Sequence, residues 1–418
     1  MKNVITLIII SVAAAIIYQV PYLKSVFYDA LQEALGVTHT ELGSLSSIYG
    51  TVAMISYIPG GIVADKIRMK YLFSGSMVAC GLLIFWYATI PSLLMLCVIH
   101  FLLGIFSILT FWSVRLKIVR FLSNEKTYPK NQGISNAFYG LTALGASFIA
   151  MFIIERSVNN VNGLKGALLF YAIAHVLLGV LSYFVIPKFD DELNPGSRLN
   201  IREFIAAIKI PSVWLVSISV FMIYTIFTAI SYTTPYFTNI YLAPVALVTA
   251  VSIIRSYGVN ILAAPTLGFL SQKVGSIGKL LMVFSGCVAV LTAAFFLIPV
   301  DASLALPVIV LSIVCAFFAN GMHALSVTQL GEVGVPKSIF GSASGITSMI
   351  GYLPDVFIYV LIGSWLDNHP GTGGYYRIFA MIILAAVVNL FLCAMVVCRG
   401  KSLQSQQQPV QQEGGPVR

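Results

Sequence analysis

The feature that most constrains this chain is the recurrence of long apolar runs along its whole length. Runs of about 18 or more residues with few charges can cross the roughly 30 Å core of a bilayer as helices. The chain is 58% hydrophobic and only 9% charged, whereas soluble domains are about 45–50% apolar. Because the runs are continuous rather than alternating, we predict an all-α membrane protein and not a transmembrane barrel.

We number the apolar runs as spans 1 to 12. They lie near residues 4–27, 42–63, 71–90, 92–114, 132–154, 165–186, 211–235, 244–270, 279–299, 304–328, 338–364 and 376–397. The first run follows Lys2 as a signal peptide would, but it continues through Tyr22 without a small-residue cleavage site. We therefore expect it to remain in the protein as span 1.

The longest polar segment lies at mid-chain, which predicts two pseudo-symmetric six-helix bundles. We expect an N-terminal bundle over residues 1–187, a cytoplasmic linker over 188–210, a C-terminal bundle over 211–398 and a disordered tail over 399–418. Within the linker, residues 194–196 predict a turn, and Asn200 is a candidate cap for a short helix through Lys209.

Lysines and arginines predict the orientation, because they concentrate in cytoplasmic loops. With the N-terminus inside, most of the 24 basic residues fall on the cytoplasmic side, and both termini are cytoplasmic. The exceptions are Lys24, Arg156, Lys165 and Arg377 at the outer side and Arg255 within a span. The net charge of +9 therefore reflects the excess of lysine and arginine on the cytoplasmic side of the membrane. We expect no nucleic-acid partner. The short loops and the absence of glycosylation sequons favour a bacterial inner membrane.

Several functional classes lack their sequence signatures. The six cysteines fall in predicted spans or directly after span 12 and lack zinc-site spacing, so we expect no disulfide, metal or cofactor. No phosphate-binding glycine loop is present, which excludes an ATP-driven pump. The sequence also lacks a nucleophile–base pair that would indicate an enzyme. We expect a monomer whose partners are the lipid bilayer and a small-molecule substrate.

A charged loop follows span 2 and recurs in weaker form after span 8. Residues 60–70 read GGIVADKIRMK, and residues 267–277 read LGFLSQKVGSI. Aligning Gly61 with Gly268 places Lys66 on Lys273, about half the chain away. Parallel repeats of six helices with a site between them are a transporter architecture.

The first loop resembles the signature loop of the major facilitator superfamily, in which the pattern is Gly-x-x-x-Asp-Arg-x-Gly-Arg-Arg/Lys. Gly61, Asp65, Lys66 and Lys70 follow that pattern, whereas Arg68 replaces its second glycine and Met69 replaces the base after it. Residues 37–66 are also reminiscent of organic-anion and organophosphate carriers. The resemblance covers roughly residues 1–400. It implies that Asp65 pairs with bases or helix ends of its own half and latches the cytoplasmic gate, whereas the alternative is that these charges only obey the positive-inside rule.

Two charges inside the predicted spans are functional candidates, because a charge at bilayer depth costs roughly 2.5–3.5 kcal/mol on insertion scales. Arg255 lies in span 8 and Asp355 in span 11. The resemblance implies that these helices are neighbours, so we predict that the two side chains face each other or share a central cavity. A static buried ion pair is the alternative to a role in substrate or proton binding.

Other candidates for the cavity come from spans 1, 4, 7 and 10. They are Tyr18, Gln19 and Lys24 of span 1, Tyr224, Thr228, Tyr232 and Thr233 of span 7, His323 of span 10, and His100 and Arg115 of span 4. The hydroxyl and amide groups can orient a polar solute or merely join helices. Snorkelling of Lys24, structural roles for both histidines and anchoring by Arg115 are the plainer interpretations.

Our leading hypothesis is a secondary active transporter that moves a small polar organic anion by alternating access, with H+ as the coupling ion. A neutral or cationic solute is one alternative. This alternative is favoured if Asp355 neutralises the charge of Arg255 completely. A membrane sensor or enzyme built on the same bundle is the other alternative, although the clustered acids or histidines it requires are not apparent in the sequence.

Overall fold

The computed structural model describes residues 2–124, 127–194, 196, 201–336 and 339–407. All regular secondary structure in this part of the chain is helical. Ten helices are long and apolar enough to cross a membrane, and the bent pair His39–Tyr57 and Pro59–Lys66 supplies an eleventh span. A shorter apolar helix near the N-terminus begins span 1. The predicted all-α membrane fold is therefore confirmed, and these elements account approximately for the twelve predicted spans.

The first half of the molecule contains spans 1 to 6. Its helices are α1 (Lys2–Ile17), α2 (Tyr28–Leu35), α3 (His39–Lys66), α4 (Met69–Tyr87), α5 (Leu93–Gly104), α6 (Ser113–Phe121), α7 (Tyr128–Glu155) and α8 (Asn160–Val185). Span 1 ends in an irregular turn and a short 3₁₀ segment, Leu23–Ser25, rather than in continuous helix. Helix α3 begins at a capping box, in which the Thr38 side chain accepts from the backbone of Glu41.

The linker contributes one short helix, and the second half contains spans 7 to 12. The helices are α9 (Ile201–Ile208), α10 (Pro211–Ala229), α11 (Thr233–Asn239), α12 (Val245–Ile253), α13 (Val259–Val274), α14 (Ile277–Leu297), α15 (Ala305–Leu325), α16 (Gln329–Glu332), α17 (Phe340–Gly351), α18 (Pro354–Asn368) and α19 (Thr372–Gln407). The predicted cap Asn200 lies outside the described residues. Residues 399–407 of the predicted tail belong to helix α19.

Corresponding helices make corresponding contacts in the two halves. Helix α4 packs on α8 as α14 packs on α19, and α1 packs on α7 as α10 packs on α17. In span numbers, the contact of span 3 with span 6 corresponds to that of span 9 with span 12. The contact of span 1 with span 5 corresponds to that of span 7 with span 11. The repeat inferred from the loops is thus a repeat of helix packing.

Several spans are interrupted near the middle of the molecule. A π-helical segment, Ile105–Trp112, joins α5 to α6, and a second, Ile254–Gly258, joins α12 to α13. A 3₁₀ turn, Ile230–Tyr232, joins α10 to α11. Pro59 lies within α3, where the span bends by 61°, because proline removes a helical hydrogen bond. Such breaks often mark functional sites.

The alternating direction of the spans defines two faces. The terminal face carries Lys2, the loops at residues 66–70 and 273–279, and Arg399. The opposite face carries residues 28–39 and 368–372. The main buried core lies between these faces and includes residues of both halves, and a cavity lies between the halves.

Candidate functional site in a central cavity

A cavity of about 420 Å³ lies between the two halves. Both halves contribute aromatic and polar side chains to its wall. They include Tyr18, Gln19, Tyr22, Tyr57, Trp112 and Tyr139 from the first half, and Tyr224, Thr228, Arg255, Tyr257, Asn260, Asn320, His323, Tyr352, Asp355 and Tyr359 from the second. A concave space with aromatic walls and a few polar groups is typical of a small-molecule site.

Asp355 is the carboxylate in the wall of this cavity. It lies in the first turn of α18, and its side chain is buried. The Tyr224 hydroxyl donates to Asp355 Oδ2 at 2.7 Å, and the Tyr359 hydroxyl also interacts with this carboxylate. Tyr359 is one helical turn beyond Asp355 on the same face. Tyrosine hydroxyls therefore hold the acid in place.

Arg255 lines the same cavity, as predicted, but its partners are neutral. It belongs to the π-helical segment of span 8 and is 2% exposed. Its guanidinium donates to the Thr233 and Thr234 hydroxyls and to the backbone oxygens of Ser25 and Ser231. Among the described residues, no acid lies within 4.0 Å of it. The two charges thus share the cavity without forming the static ion pair.

Lys24 is buried against Tyr359 and Tyr232 rather than extended toward the surface. It lies in the 3₁₀ segment after the break in span 1. Its Nζ donates to the Tyr232 hydroxyl at 3.3 Å and lies 3.3 Å from the centre of the Tyr359 ring. Asp355 is close enough to interact with Lys24 electrostatically. Snorkelling of Lys24 is therefore not what the structure shows.

Gln19 is the centre of a hydroxyl network beside the break in span 1. Its Oε1 accepts from Ser147, Tyr171 and Tyr257 at 3.0, 3.4 and 3.3 Å. Its buried Nε2 has no hydrogen-bond partner. The neighbouring Tyr18 donates to the Ser107 backbone oxygen at 3.1 Å. These bonds join spans 1, 4, 5, 6 and 8 around the cavity.

The two candidate histidines have different surroundings. His323 lines the cavity, where its ring stacks on Phe227 at 4.5 Å, and its Nε2 has no partner. His100 is hydrogen-bonded through Nδ1 to the Leu96 backbone oxygen at 2.9 Å and contacts Tyr87. His100 does not lie among the cavity-lining residues. A structural role fits His100, whereas His323 remains a candidate ligand.

Spans 2 and 11 close the cavity toward the opposite face. A Cβ added at Gly43 would overlap the backbone carbonyl of Tyr359, and one at Gly363 would overlap that of His39. A Cβ at Gly50 would lie 2.5 Å from Asp355 Cβ. Glycines therefore permit the close approach of these two spans, one from each half.

Hydrogen bonds between the halves reinforce this closure. Asp367, near the end of α18, accepts from the backbone N–H groups of His39 and Thr40 at 3.1 and 2.8 Å, and from the Thr40 hydroxyl. A carboxylate is favourable there because it meets the unpaired donors of a helix N-terminus. Asp29 accepts from the Thr238 hydroxyl at 2.7 Å. Among the described residues, every hydrogen bond joining the halves lies at the cavity or nearer the opposite face.

The charged loop after span 2 is anchored within its own half, together with the linker. Lys117 of α6 forms an ion pair with Asp65 at 2.6 Å and donates to the Ala64 and Glu192 backbone oxygens. The Glu192 carboxylate contacts Arg68 at 3.4 Å and accepts from Met69 N at the start of α4. The pairing implied by the resemblance is thus present, with Lys117 as the base.

The other members of this loop and of its second copy make fewer contacts. Lys70 lies 4.1 Å from the centre of the Tyr183 ring, whereas Lys66 is exposed. Gly61 and Gly268 both have open space where a side chain would be. In the second copy Lys273 is exposed over Phe269, and Glu332 accepts from Ser276 and from Gly278 N at the start of α14.

Sequence reasoning missed four residues that hold these sites. Tyr359, Asp367, Lys117 and Glu192 were not assigned as partners. The contacts of Asp367, Lys117 and Glu192, and the contact of Tyr359 with Lys24, join segments far apart in the chain. The i, i+4 spacing of Tyr359 from Asp355 is the one signal that could have identified it.

Comparison with known proteins is consistent with this architecture. The family model described as Major Facilitator Superfamily matches residues 6–358. Inner membrane protein YqcE of Escherichia coli K12 is 27% identical over 388 residues, which are 90% of each chain. Inner membrane protein YihN of the same organism is 26% identical over 404 residues, which are 94% of each chain.

Solved structures share the fold at low sequence identity. The nucleoside transporter NupG superposes with a TM-score of 0.73 at 15% identity, covering 96% of this chain and 99% of its own. A bacterial homolog of the human lysosomal transporter Spinster, in an inward-facing and unoccupied conformation, gives 0.66 at 13% identity, covering 96% of each chain.

Proposed function

Because the chain belongs to the major facilitator superfamily, and is therefore a multi-pass membrane transporter and not an enzyme, we propose that it carries a small organic anion through the central cavity. Transport proceeds by alternating access, in which the two halves rock around the cavity. The solute binds between Arg255 on one side and the polar groups around Gln19 on the other.

The observation that carries the proposal is the charge of the cavity wall. Arg255 is buried in this wall, and Asp355 is the acid among the described lining residues. Arg255 itself has only neutral partners, and Lys24 is buried behind the wall against the Tyr359 ring. A buried charge without a counter-charge is costly. A solute carboxylate or phosphate would supply that counter-charge, and the planar guanidinium suits either group.

The direction of opening follows from the contacts between the halves. Spans 2 and 11 close the opposite face, whereas hydrogen bonds within each half predominate at the terminal face. Taking the terminal face as cytoplasmic, as the distribution of basic residues favours, we assign the structure to an inward-facing state. The closed opposite face is then the outer gate, and the Asp65 loop belongs to the cytoplasmic gate.

Asp355 is the candidate for coupling to H+. It contacts Tyr224 and Tyr359 and interacts with Lys24. Protonation would remove the negative charge of Asp355 from the cavity wall that it shares with Arg255, so proton uptake and binding of a solute anion would favour each other. His323, near the Tyr224 ring at 5.5 Å, is a second candidate proton site.

A neutral solute is the second candidate function. Its support is the number of neutral donors and acceptors in the wall, including Asn260 and Asn320, and the fold shared with a nucleoside transporter. In that case the neutral oxygens around Arg255 would be its permanent partners.

Thermal stabilisation of the purified protein separates these two functions, because a ligand that prefers the native state raises the melting temperature. The panel pairs each anion with a neutral analogue, at constant ionic strength. The pairs are glucose 6-phosphate with glucose, and benzoate with benzamide. We expect anions to stabilise the wild type and the effect to vanish in Arg255→Gln. Equal stabilisation of both proteins by the neutral members would refute the anion assignment.

A further inference from the structure

Arg115 is a second buried arginine near the cavity, and the proposed function does not use it. It lies in α6 on span 4 and is 5% exposed. Arg120 of the same helix lies over the Tyr128 ring, but it is exposed. Burial therefore sets Arg115 apart from an arginine that anchors a helix end at the membrane surface.

The partners of Arg115 do not balance its charge. Its Nη2 donates to Ser135 Oγ at 3.3 Å, a hydroxyl that also accepts from Ser11 at 2.8 Å. Its Cζ lies 5.2 Å from the centre of the Tyr139 ring. The buried Nε has no hydrogen-bond partner, and no described acid lies within 4.0 Å. One long hydrogen bond and one aromatic face leave most donors of the guanidinium without a strong acceptor.

The residues around Arg115 connect it with the cavity. Tyr139, which its guanidinium overlies, belongs to the cavity wall, and so does Trp112, about one helical turn earlier on span 4. Tyr18 of the wall is close enough to interact with Arg115 electrostatically. Because span 4 runs toward the terminal face, Arg115 lies on the terminal side of Trp112. Arg255, by contrast, lies in the part of span 8 nearer the opposite face.

We propose that Arg115 is a second anion-binding subsite, at the terminal side of the cavity, that takes the carboxylate or phosphate of a solute carrying a planar or apolar body. This inference rests on the proposed function. Tyr18, Trp112 and Tyr139 supply aromatic faces for the body, and Arg115 supplies charge-assisted hydrogen bonds to the anionic group. In the inward-facing state the subsite lies where a solute enters or leaves on the terminal side.

The test compares apparent Kd values for the four panel compounds in Arg115→Gln, Arg115→Lys and the matched control Arg120→Gln. We expect Arg115→Gln to weaken binding of benzoate about tenfold, because charge-assisted hydrogen bonds are lost. Binding of the neutral partners should not change. Arg115→Lys keeps the charge but loses the planar fork, so an intermediate loss is expected. Arg120→Gln should bind as the wild type does.

The outcomes distinguish this subsite from the function on which it rests. If no anion binds the wild type, both proposals are wrong. If anion binding disappears in Arg255→Gln but Arg115→Gln matches Arg120→Gln, the subsite alone is refuted. The melting temperature without solute reports on folding. If Arg115→Gln does not fold, Arg115→Lys decides, and unchanged anion affinity in that variant would overturn the subsite.

Discussion

The two faces of the molecule use an acid in opposite ways. At the terminal face, Asp65 pairs with Lys117 of its own half. At the opposite face, Asp367 of the second half caps the start of α3 in the first half. The first bond stabilises a loop within one half, and the second joins the halves. The comparison indicates which gate is closed: contacts between the halves can form only where the halves meet.

The difference also shows how each gate would change during transport. Opening the opposite face must break the bonds of Asp367 and separate the glycines of span 2 from span 11. Closing the terminal face would bring the Asp65 loop toward the second half, while its bond to Lys117 can persist. The two gates are therefore expected to respond differently to substitution.

Filling the glycine contact should have the largest effect. A side chain at Gly43 would overlap the Tyr359 carbonyl, and overpacking costs about 1–3 kcal/mol, which is roughly a 5- to 150-fold shift in equilibrium. In Gly43→Val, we expect the opposite face to open. Labelling of Ser231→Cys in the cavity, by an impermeant maleimide added on that face, should accelerate accordingly in a background without the native cysteines.

Gly145→Val is the matched control for this prediction. Gly145 also lies inside a helix, but a side chain there would meet open space. If both valine variants label at the same rate, the glycine contact does not govern closure.

Removing the cap between the halves should have a smaller effect. Asp367→Ala loses an N-terminal cap, and such caps contribute about 0.5–2 kcal/mol. We expect labelling of Ser231→Cys from the opposite face to rise several-fold. Asp301 caps the Ser303 N–H within its own loop on the same face, so Asp301→Ala should leave the rate unchanged. Equal rates in the two variants would show that Asp367 is not a latch.

Breaking the ion pair at the terminal face should affect stability rather than the closure of the opposite face. Lys117→Met removes donors to Asp65, Ala64 and Glu192, and we expect it to lower the free energy of unfolding by about 1–2 kcal/mol. The melting temperature should fall while labelling from the opposite face stays at the wild-type rate. Lys273→Met, at the corresponding exposed loop, should change neither. A large rise in labelling of Lys117→Met would contradict the assignment of this bond to one half.

Sequence patterns predicted the spans because apolar length reports directly on the bilayer, and they located the Asp65 loop because a short motif carries it. They also predicted that Arg255 and Asp355 share one cavity, since charged residues within membrane spans are rare. They did not reveal that Arg255 binds neutral oxygens of spans 1 and 7, because two of them, the Ser25 and Ser231 backbone oxygens, become available only where the helices break. The Asp367 cap was missed for a similar reason, since it depends on which helix ends meet in one conformational state.

The most direct test of the central claim is solute uptake by proteoliposomes that contain the purified protein. The labelled solute is whichever anion of the panel stabilises the wild type, and its neutral partner is the control. The account predicts saturable uptake of the anion that is lost in Arg255→Gln, and acceleration by an inward proton gradient that is lost in Asp355→Asn. Saturable uptake of the neutral partner, equal in wild type and Arg255→Gln, would contradict it.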